Sequence, residues 1–262
     1  MPAKPSPEPE REPGLEAAVE AALAELDLPT RVRLLSGETF WRLHAAPPAG
    51  LRQLVVSDGP VGVRGETWDE REVALTLPNP TALAASWDEA LVTRLAGLLA
   101  AECRRKGVDV LLAPTVNLHR SPLGGRHFEC FSEDPLVSGR IGAAYVRGMQ
   151  AHGVGATAKH LVANDSEAKR FTVDVRVDER SLREVYLAPF EQLVVEGGVW
   201  AVMAAYNSVN GATMTENPLL ADIVLGEWGF DGVVVSDWYA TRSADAVQAG
   251  IGLVMPGPPD RA

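Results

Sequence analysis

The chain has 262 residues, 46% of them hydrophobic, with 24 Lys plus Arg against 35 Asp plus Glu and a formal net charge of −11. The hydrophobic share excludes a wholly disordered chain. The acidic balance repels phosphate backbones and anionic lipid surfaces, so neither nucleic acid nor membrane is an expected partner.

Two cysteines, Cys103 and Cys130, exclude a disulfide scaffold and a zinc site of paired CxxC elements, and read as buried reduced thiols. Residues 1–13 (MPAKPSPEPEREP) are rich in Pro and Glu and read as a disordered tail without the apolar core of a signal peptide. The remainder, 14–262, reads as one domain. No apolar run of about 18 residues occurs, so a soluble, cytoplasmic protein is expected.

From Gly14 the pattern turns helical, with Leu15, Val19, Leu23 and Leu26 on one spacing until Asp27 and Pro29 break it. Six short apolar runs follow: 54–56 (LVV), 108–113 (VDVLLA), 154–158 (VGATA), 199–205 (VWAVMAA), 233–235 (VVV) and 251–255 (IGLVM). Helical stretches lie between several of them, at 88–106, 135–152, 178–196 and 217–228. Each is stopped by a glycine: Gly107, Gly153, Gly197 and Gly229. Continuous apolar strands alternating with helices indicate an α/β protein with a parallel sheet covered on both faces. A closed barrel and a doubly wound sheet both satisfy that pattern. No GxGxxG or GxxxxGK[ST] follows any strand, which favours the barrel and leaves no cofactor implied.

Polar residues stand where four of the strands end: Asp58 after 54–56, Lys159 and His160 after 154–158, Tyr206 after 199–205, and Asp237 and Trp238 after 233–235. In an α/β barrel those ends form the active-site face. Each also has a plainer reading. Asp237 can cap a following helix, Asp58 can serve a turn before Gly59-Pro60, Tyr206 can be a core ring, and Trp238 can be packing or a platform for a sugar. Lys159 demands a partner, because lysine is almost never buried alone.

The loop 124–135 (GGRHFECFSEDP) is dense in charge. Glu133 and Asp134 suit the N-terminus of the next helix, but Arg126 has no such structural reason. Two other motifs are incomplete. Ser166-Glu167-Ala168-Lys169 matches the SxxK of serine hydrolases without a KTG partner, and His127-Phe128-Glu129 matches the HxE of zinc deaminases without PCxxC. The five histidines form no HExxH, so no metal is expected.

Five strings together resemble glycoside hydrolase family 3, closest to its bacterial β-glucosidase branch. They are VSDGPVGVRG (56–65), VDVLLAPTVNLHRSPLGGRHFECFSEDP (108–135), GVGATAKHLVANDSEAKR (153–170), VMAAYNSVNG (202–211) and EWGFDGVVVSDW (227–238). The resemblance implies a (β/α)8 TIM-type barrel and retaining hydrolysis of a small β-glycoside or oligosaccharide. It assigns Asp237 as the nucleophile. Asp58, Arg64, Arg126, Lys159, His160, Arg170 and Tyr206 become contacts to the sugar, with Trp238 the aromatic beside the nucleophile. The cations Arg64, Arg126, Lys159 and Arg170 are then expected to keep Asp237 ionised.

In that family the acid/base Glu lies in a second domain beyond the barrel, and Glu129, Glu133 and Glu167 do not match it. The chain is accordingly expected to be a barrel incomplete at its C-terminal end, with uncovered apolar strand surface that invites homo-oligomers. Run 251–255 lacks the acidic residues of many members. The KH pair lacks the His-rich continuation of the β-N-acetylhexosaminidases, which disfavours that branch. β-Glucosidase is the first specificity and β-xylosidase the second. A barrel that binds glycosides without turning them over is the reading from another class.

Overall fold

Five of the six apolar runs form parallel strands of one sheet in the computed structural model, which describes residues 14–67, 69 and 71–258. The strands are Val56–Asp58, Val110–Leu112, Gly155–Leu161, Ala201–Ala204 and Val233–Ser236, hydrogen-bonded in that order. Strand order follows chain order, as helical crossovers of one hand require. The tail expected at 1–13 lies outside the described residues.

The sixth run forms no ladder. Single bridges continue the pairing from Val235 to Leu253, Val254 to Ser36, Gly37 to Leu43, and Arg42 to Val55. The wall is therefore an incomplete (β/α) barrel, with five laddered strands and an arc spanned by isolated bridges. Pro256, which has no N–H to donate, ends the 251–255 run after two bridged residues.

Side chains alternate between two cores, as a pleat of period two dictates. Val56, Leu112, Met203, Val235 and Leu253 point inward, where Trp41, Trp238 and Met255 join them. Leu111, Val202 and Val234 point outward into the layer shared with the helices. Each run needs apolar residues on both faces, so the runs read as continuous rather than alternating. The interior face of 253–255 is covered, with Leu253 and Met255 buried, whereas Val233 is 45% exposed.

The helices lie where the glycine stops placed them, and aspartates start three of them. Asp88 accepts from the Leu91 N–H before Glu89–Arg105, Asp134 from Val137 before Pro135–Gln150, and Asp178 from Ser181 before Glu179–Ser181. The first two helices pack closely because Gly148 has no Cβ, which would stand 2.3 Å from the Thr93 carbonyl oxygen. The 178–196 stretch is not uniformly α-helical. It winds wider over Leu182–Leu187 and returns to α at Ala188–Val195, the change falling just before Pro189. The 217–228 stretch is likewise wide-wound over Leu220–Glu227. No helix among the described residues is long and apolar enough to cross a membrane.

Candidate active site

The parallel register brings the strand ends to one rim. Asp58 pairs in register with Leu112, and Ala204 with Ser236, so the residues just beyond them share one end of the sheet. A cavity of about 530 Å³ opens there. Asp58, Arg64, Arg126, Lys159, His160, Arg170, Tyr206, Asp237 and Trp238 all line it.

Local structure sets each position. Gly59 has φ +135°, and a Cβ on it would meet the Gly62 carbonyl oxygen at 2.1 Å, so only glycine allows the chain to fold back there. The turn is tied by Arg64 N–H donating to the Asp58 carbonyl (3.0 Å) and Gly65 N–H donating to buried Ser57 Oγ (2.8 Å). Asp58 and Arg64 are thereby held on the same rim. In the third strand the register shifts between Ala158 and Leu161, and the adjacent Lys159 and His160 both line the cavity.

Lys159, 2% exposed, has the partners its burial demanded. Its Nζ lies 2.7 Å from Asp58 Oδ1 and 3.7 Å from Glu129 Oε2. Glu129, also 2% exposed, pairs with Arg126 and accepts from the Thr115 hydroxyl at 2.9 Å. Arg126 faces Glu167 at 3.8 Å, and Glu167 holds Arg170 at 2.6 Å. Arg170 lies over the rings of Tyr206 (4.7 Å) and Phe171 (5.1 Å). Desolvation pushes the Asp58 carboxyl up, but the charge and hydrogen bond of Lys159, with Arg126 behind it, hold it below its ordinary value.

Asp237 is different. It caps no helix, since the next one, Asp245–Ala249, has Ala244 at its N-cap. Its Oδ1 accepts the Trp238 N–H at 2.7 Å. Its Oδ2 is buried without a hydrogen-bond partner, 3.7 Å from His160 Nε2. Burial pushes this carboxyl above its ordinary value, against the Trp238 N–H, Lys159, the Tyr206 hydroxyl and Arg126. The expected cations do act here, since Lys159 and Arg126 favour the ionised form, while desolvation is the larger effect on the direction.

His160 is held well below its usual range by burial and by Arg126, Lys159 and Arg170, so the ring is neutral. Asn117 identifies the tautomer. Its Nδ2 donates to the His160 carbonyl (2.9 Å) and its Oδ1 accepts the His160 N–H (2.8 Å), which fixes the amide orientation. Oδ1 also lies 3.2 Å from His160 Nδ1, so Nδ1 carries the proton and Nε2 is left as an acceptor toward the cavity.

Trp238 is both packing and wall. It meets the Trp41 ring at 5.4 Å and donates its indole N–H to the Phe40 carbonyl at 3.1 Å. Ser166 does not line the cavity, and its hydroxyl accepts the Ala168 N–H in a local turn.

Glu129, Phe40, Trp41, Phe128 and Met203 also line the cavity, and sequence reasoning did not single them out as contacts. Glu129 carries one usable signal, its i,i+3 spacing from Arg126. Phe40 and Trp41 sit in a segment with no periodicity. No metal was expected, yet His119, His127 and Cys130 bring ligand atoms within 4.8 Å of one another beside this site.

Comparison with known proteins places this geometry. The chain is 48% identical over 244 residues to β-glucosidase B of Emericella nidulans, covering 92% of this chain and 29% of that protein. It is 47% identical over 243 residues to a β-glucosidase of Rhizobium radiobacter, covering 92% and 30%. Among solved structures, the β-glucosidase of Kluyveromyces marxianus in complex with glucose superposes with a TM-score of 0.90 at 41% identity, covering 92% of this chain and 29% of that one. β-Glucosidase 3B of Thermotoga neapolitana in complex with glucose gives 0.86 at 39%, covering 91% and 36%. The chain thus spans between 29% and 36% of the length of these relatives. Residues 49–259 match the glycosyl hydrolase family 3 N-terminal domain, and the chain belongs to that family.

Proposed function

We propose that this barrel is the nucleophile-bearing part of a retaining β-glycosidase of the β-glucosidase type, within the bacterial branch that its motifs resemble. The observation that carries the reading is Asp237 Oδ2, a buried carboxylate oxygen with no hydrogen bond of its own, in a cavity otherwise ringed by ion-paired polar groups. Two similar proteins hold glucose in their solved structures, which supports a glucosyl unit as the occupant.

In this reading Asp237 attacks the anomeric carbon. The bond to the leaving oxygen breaks, and a covalent glycosyl-enzyme forms. Water then releases the sugar and regenerates the carboxylate. Asp58 accepts from sugar hydroxyls, Lys159, Arg64, Arg126 and Arg170 donate to them, and neutral His160 accepts at Nε2. Fixed donors and acceptors of this kind strengthen as charge develops at the transition state. The leaving oxygen needs a proton, and the carboxylates of the rim are poorly suited to supply it. Asp58, Glu129 and Glu167 are each ion-paired, and Asp58 is held ionised. In this reading the acid is a group other than these rim carboxylates, in keeping with the second-domain glutamate that the family resemblance implies.

A 2-deoxy-2-fluoro-β-glucoside with a dinitrophenolate leaving group tests this, because that group departs without protonation. Mass spectrometry of the digested chain should find one fluoroglucosyl adduct on the peptide holding Asp237, and none in Asp237→Asn. A folded chain that binds glucose but takes no label would show a glycoside-binding barrel instead.

A further inference from the structure

The geometry points to a zinc site beside the sugar pocket, formed by His119, His127 and Cys130 with the Asn164 side-chain oxygen, on the loop that carries Arg126 and Glu129. The proposal does not depend on the glycosidase reading.

The three residues place ligand atoms within 4.8 Å of one another. Bonds of about 2.0–2.3 Å from one tetrahedral ion require them to draw in by about 1 Å, a rotamer adjustment. Each imidazole is already oriented by the carbonyl that a metal-bound histidine ordinarily uses. His119 Nε2 meets the His127 carbonyl at 3.2 Å, and His127 Nε2 meets the Ser121 carbonyl. A carbonyl only accepts, so Nε2 carries the proton in both rings. Nδ1 keeps the lone pair that a metal takes.

A second observation is independent of the cluster. A small, partly open space of about 10 Å³, room for one ion or water, is bordered by His127, Cys130, Asn164 and Asp165, with His119 outside its lining. Asn164 is among the residues that border it, and its Oδ1 is buried without a hydrogen-bond partner. An orphaned carbonyl-type oxygen is a cation acceptor and costs free energy if nothing meets it. Arg126 borders the same space, but its guanidinium is engaged by Glu129 and Glu167.

Two imidazoles, one thiol and an amide oxygen suit zinc better than magnesium or calcium, which take all-oxygen sets. Coordination converts the Cys130 thiol to the thiolate and releases its proton to solvent. The ligands at 127 and 130 flank Arg126 and Glu129, so an ion here ties down the loop that delivers both to the pocket.

Cobalt(II) is the probe, since a thiolate bound to it absorbs by charge transfer in the near ultraviolet. Titrating the purified 262-residue chain should give one equivalent of bound cobalt, with that band, displaced by zinc. Cys130→Ser should abolish the band, and His119→Gln should weaken binding at least tenfold. His119 is only half-buried, so its variant serves if Cys130→Ser does not fold by circular dichroism. Cys103 is the one other thiol. No band in the wild-type chain overturns the site, as does a band that survives Cys130→Ser or an affinity unchanged in His119→Gln. Sugar labelling takes no part in this readout, so the two proposals fail separately.

Discussion

The two walls of the cavity hold their carboxylates in opposite ways. On the wall built by the first and third strands, the Asp58 side chain is 39% exposed and meets Lys159 at 2.7 Å, and its carboxyl is held below the ordinary value. On the wall built by the fifth strand, Asp237 is buried beside Trp238, with one oxygen unpartnered and its carboxyl pushed up. Lys159 and Arg126 act on both carboxyls, so the difference lies in contact and solvation rather than in the presence of cations. A carboxylate held ionised by a salt bridge keeps further lone pairs with which to accept a substrate hydroxyl. One whose charge is under-compensated gains most from bonding to an electron-poor carbon. On the proposed reading, the first wall binds the sugar and the second reacts with it.

Removing the cation that serves the first wall should have the largest effect. Lys159→Met leaves Glu129 buried beside Arg126 with one cation fewer, and deprives Asp58 of its partner. Breaking a buried ion network of this kind typically costs about 3–5 kcal/mol. Urea denaturation at pH 7 should show a loss on that scale, together with loss of glucose binding by calorimetry. A stability within about 1 kcal/mol of the wild type would mean that Lys159 is solvated in a way its burial does not show.

Most of this architecture was legible in the chain. The five laddered strands and the four helices between them follow from apolar runs and glycine stops, because a parallel strand buried on both faces leaves no ambiguity of register with water. The rim residues were legible as polar positions at strand ends, each with a plainer reading beside it, and the family resemblance singled them out. Three things were not. Glu129 becomes a site residue only when the turn His127–Glu129 swings it against Lys159, 30 positions away in the chain. Phe40 and Trp41 lie in the bridged arc, which has no ladder and so no pattern to read. The sign of the Asp237 shift is a contest between desolvation and charge that spacing alone cannot decide. Nor could spacing exclude the helix-cap reading of Asp237, which falls only because the next helix starts at Asp245 with Ala244 at its N-cap.

The second wall can be tested through stability. A buried carboxyl raised above its ordinary value is costly when ionised, so the wild type pays this cost at every pH above the raised value. As pH falls through that value toward 3.8, the ordinary carboxyl value, the cost disappears. Asp237→Asn removes the charge and keeps an oxygen for the Trp238 N–H. It should therefore be more stable than the wild type at pH 7, by about 2–4 °C in Tm for each kcal/mol relieved. The gain should shrink as the pH is lowered toward 4. A variant less stable than the wild type at pH 7 would show that the cations compensate Asp237 after all, and the contrast between the walls would fall.

The smallest effect isolates one contact on the reacting wall. The Tyr206 hydroxyl, near Asp237 on the cavity wall, favours its ionised form and opposes burial. Tyr206→Phe removes that hydroxyl and keeps the ring that Phe171 packs against at 4.3 Å and that Arg170 covers. The Asp237 carboxyl should then rise further, and the acidic limb of the fluoroglycoside labelling rate should move to higher pH. On the plateau above the limb the rate should change much less, because the nucleophile is ionised there in both proteins. If Tyr206 only fills space, its loss scales the rate equally at every pH and the midpoint of the limb stays fixed. A displaced midpoint with a retained plateau therefore separates tuning of the nucleophile from packing. It also shows that the charge on this wall is regulated by one neutral hydroxyl, whereas the opposite wall relies on a lysine.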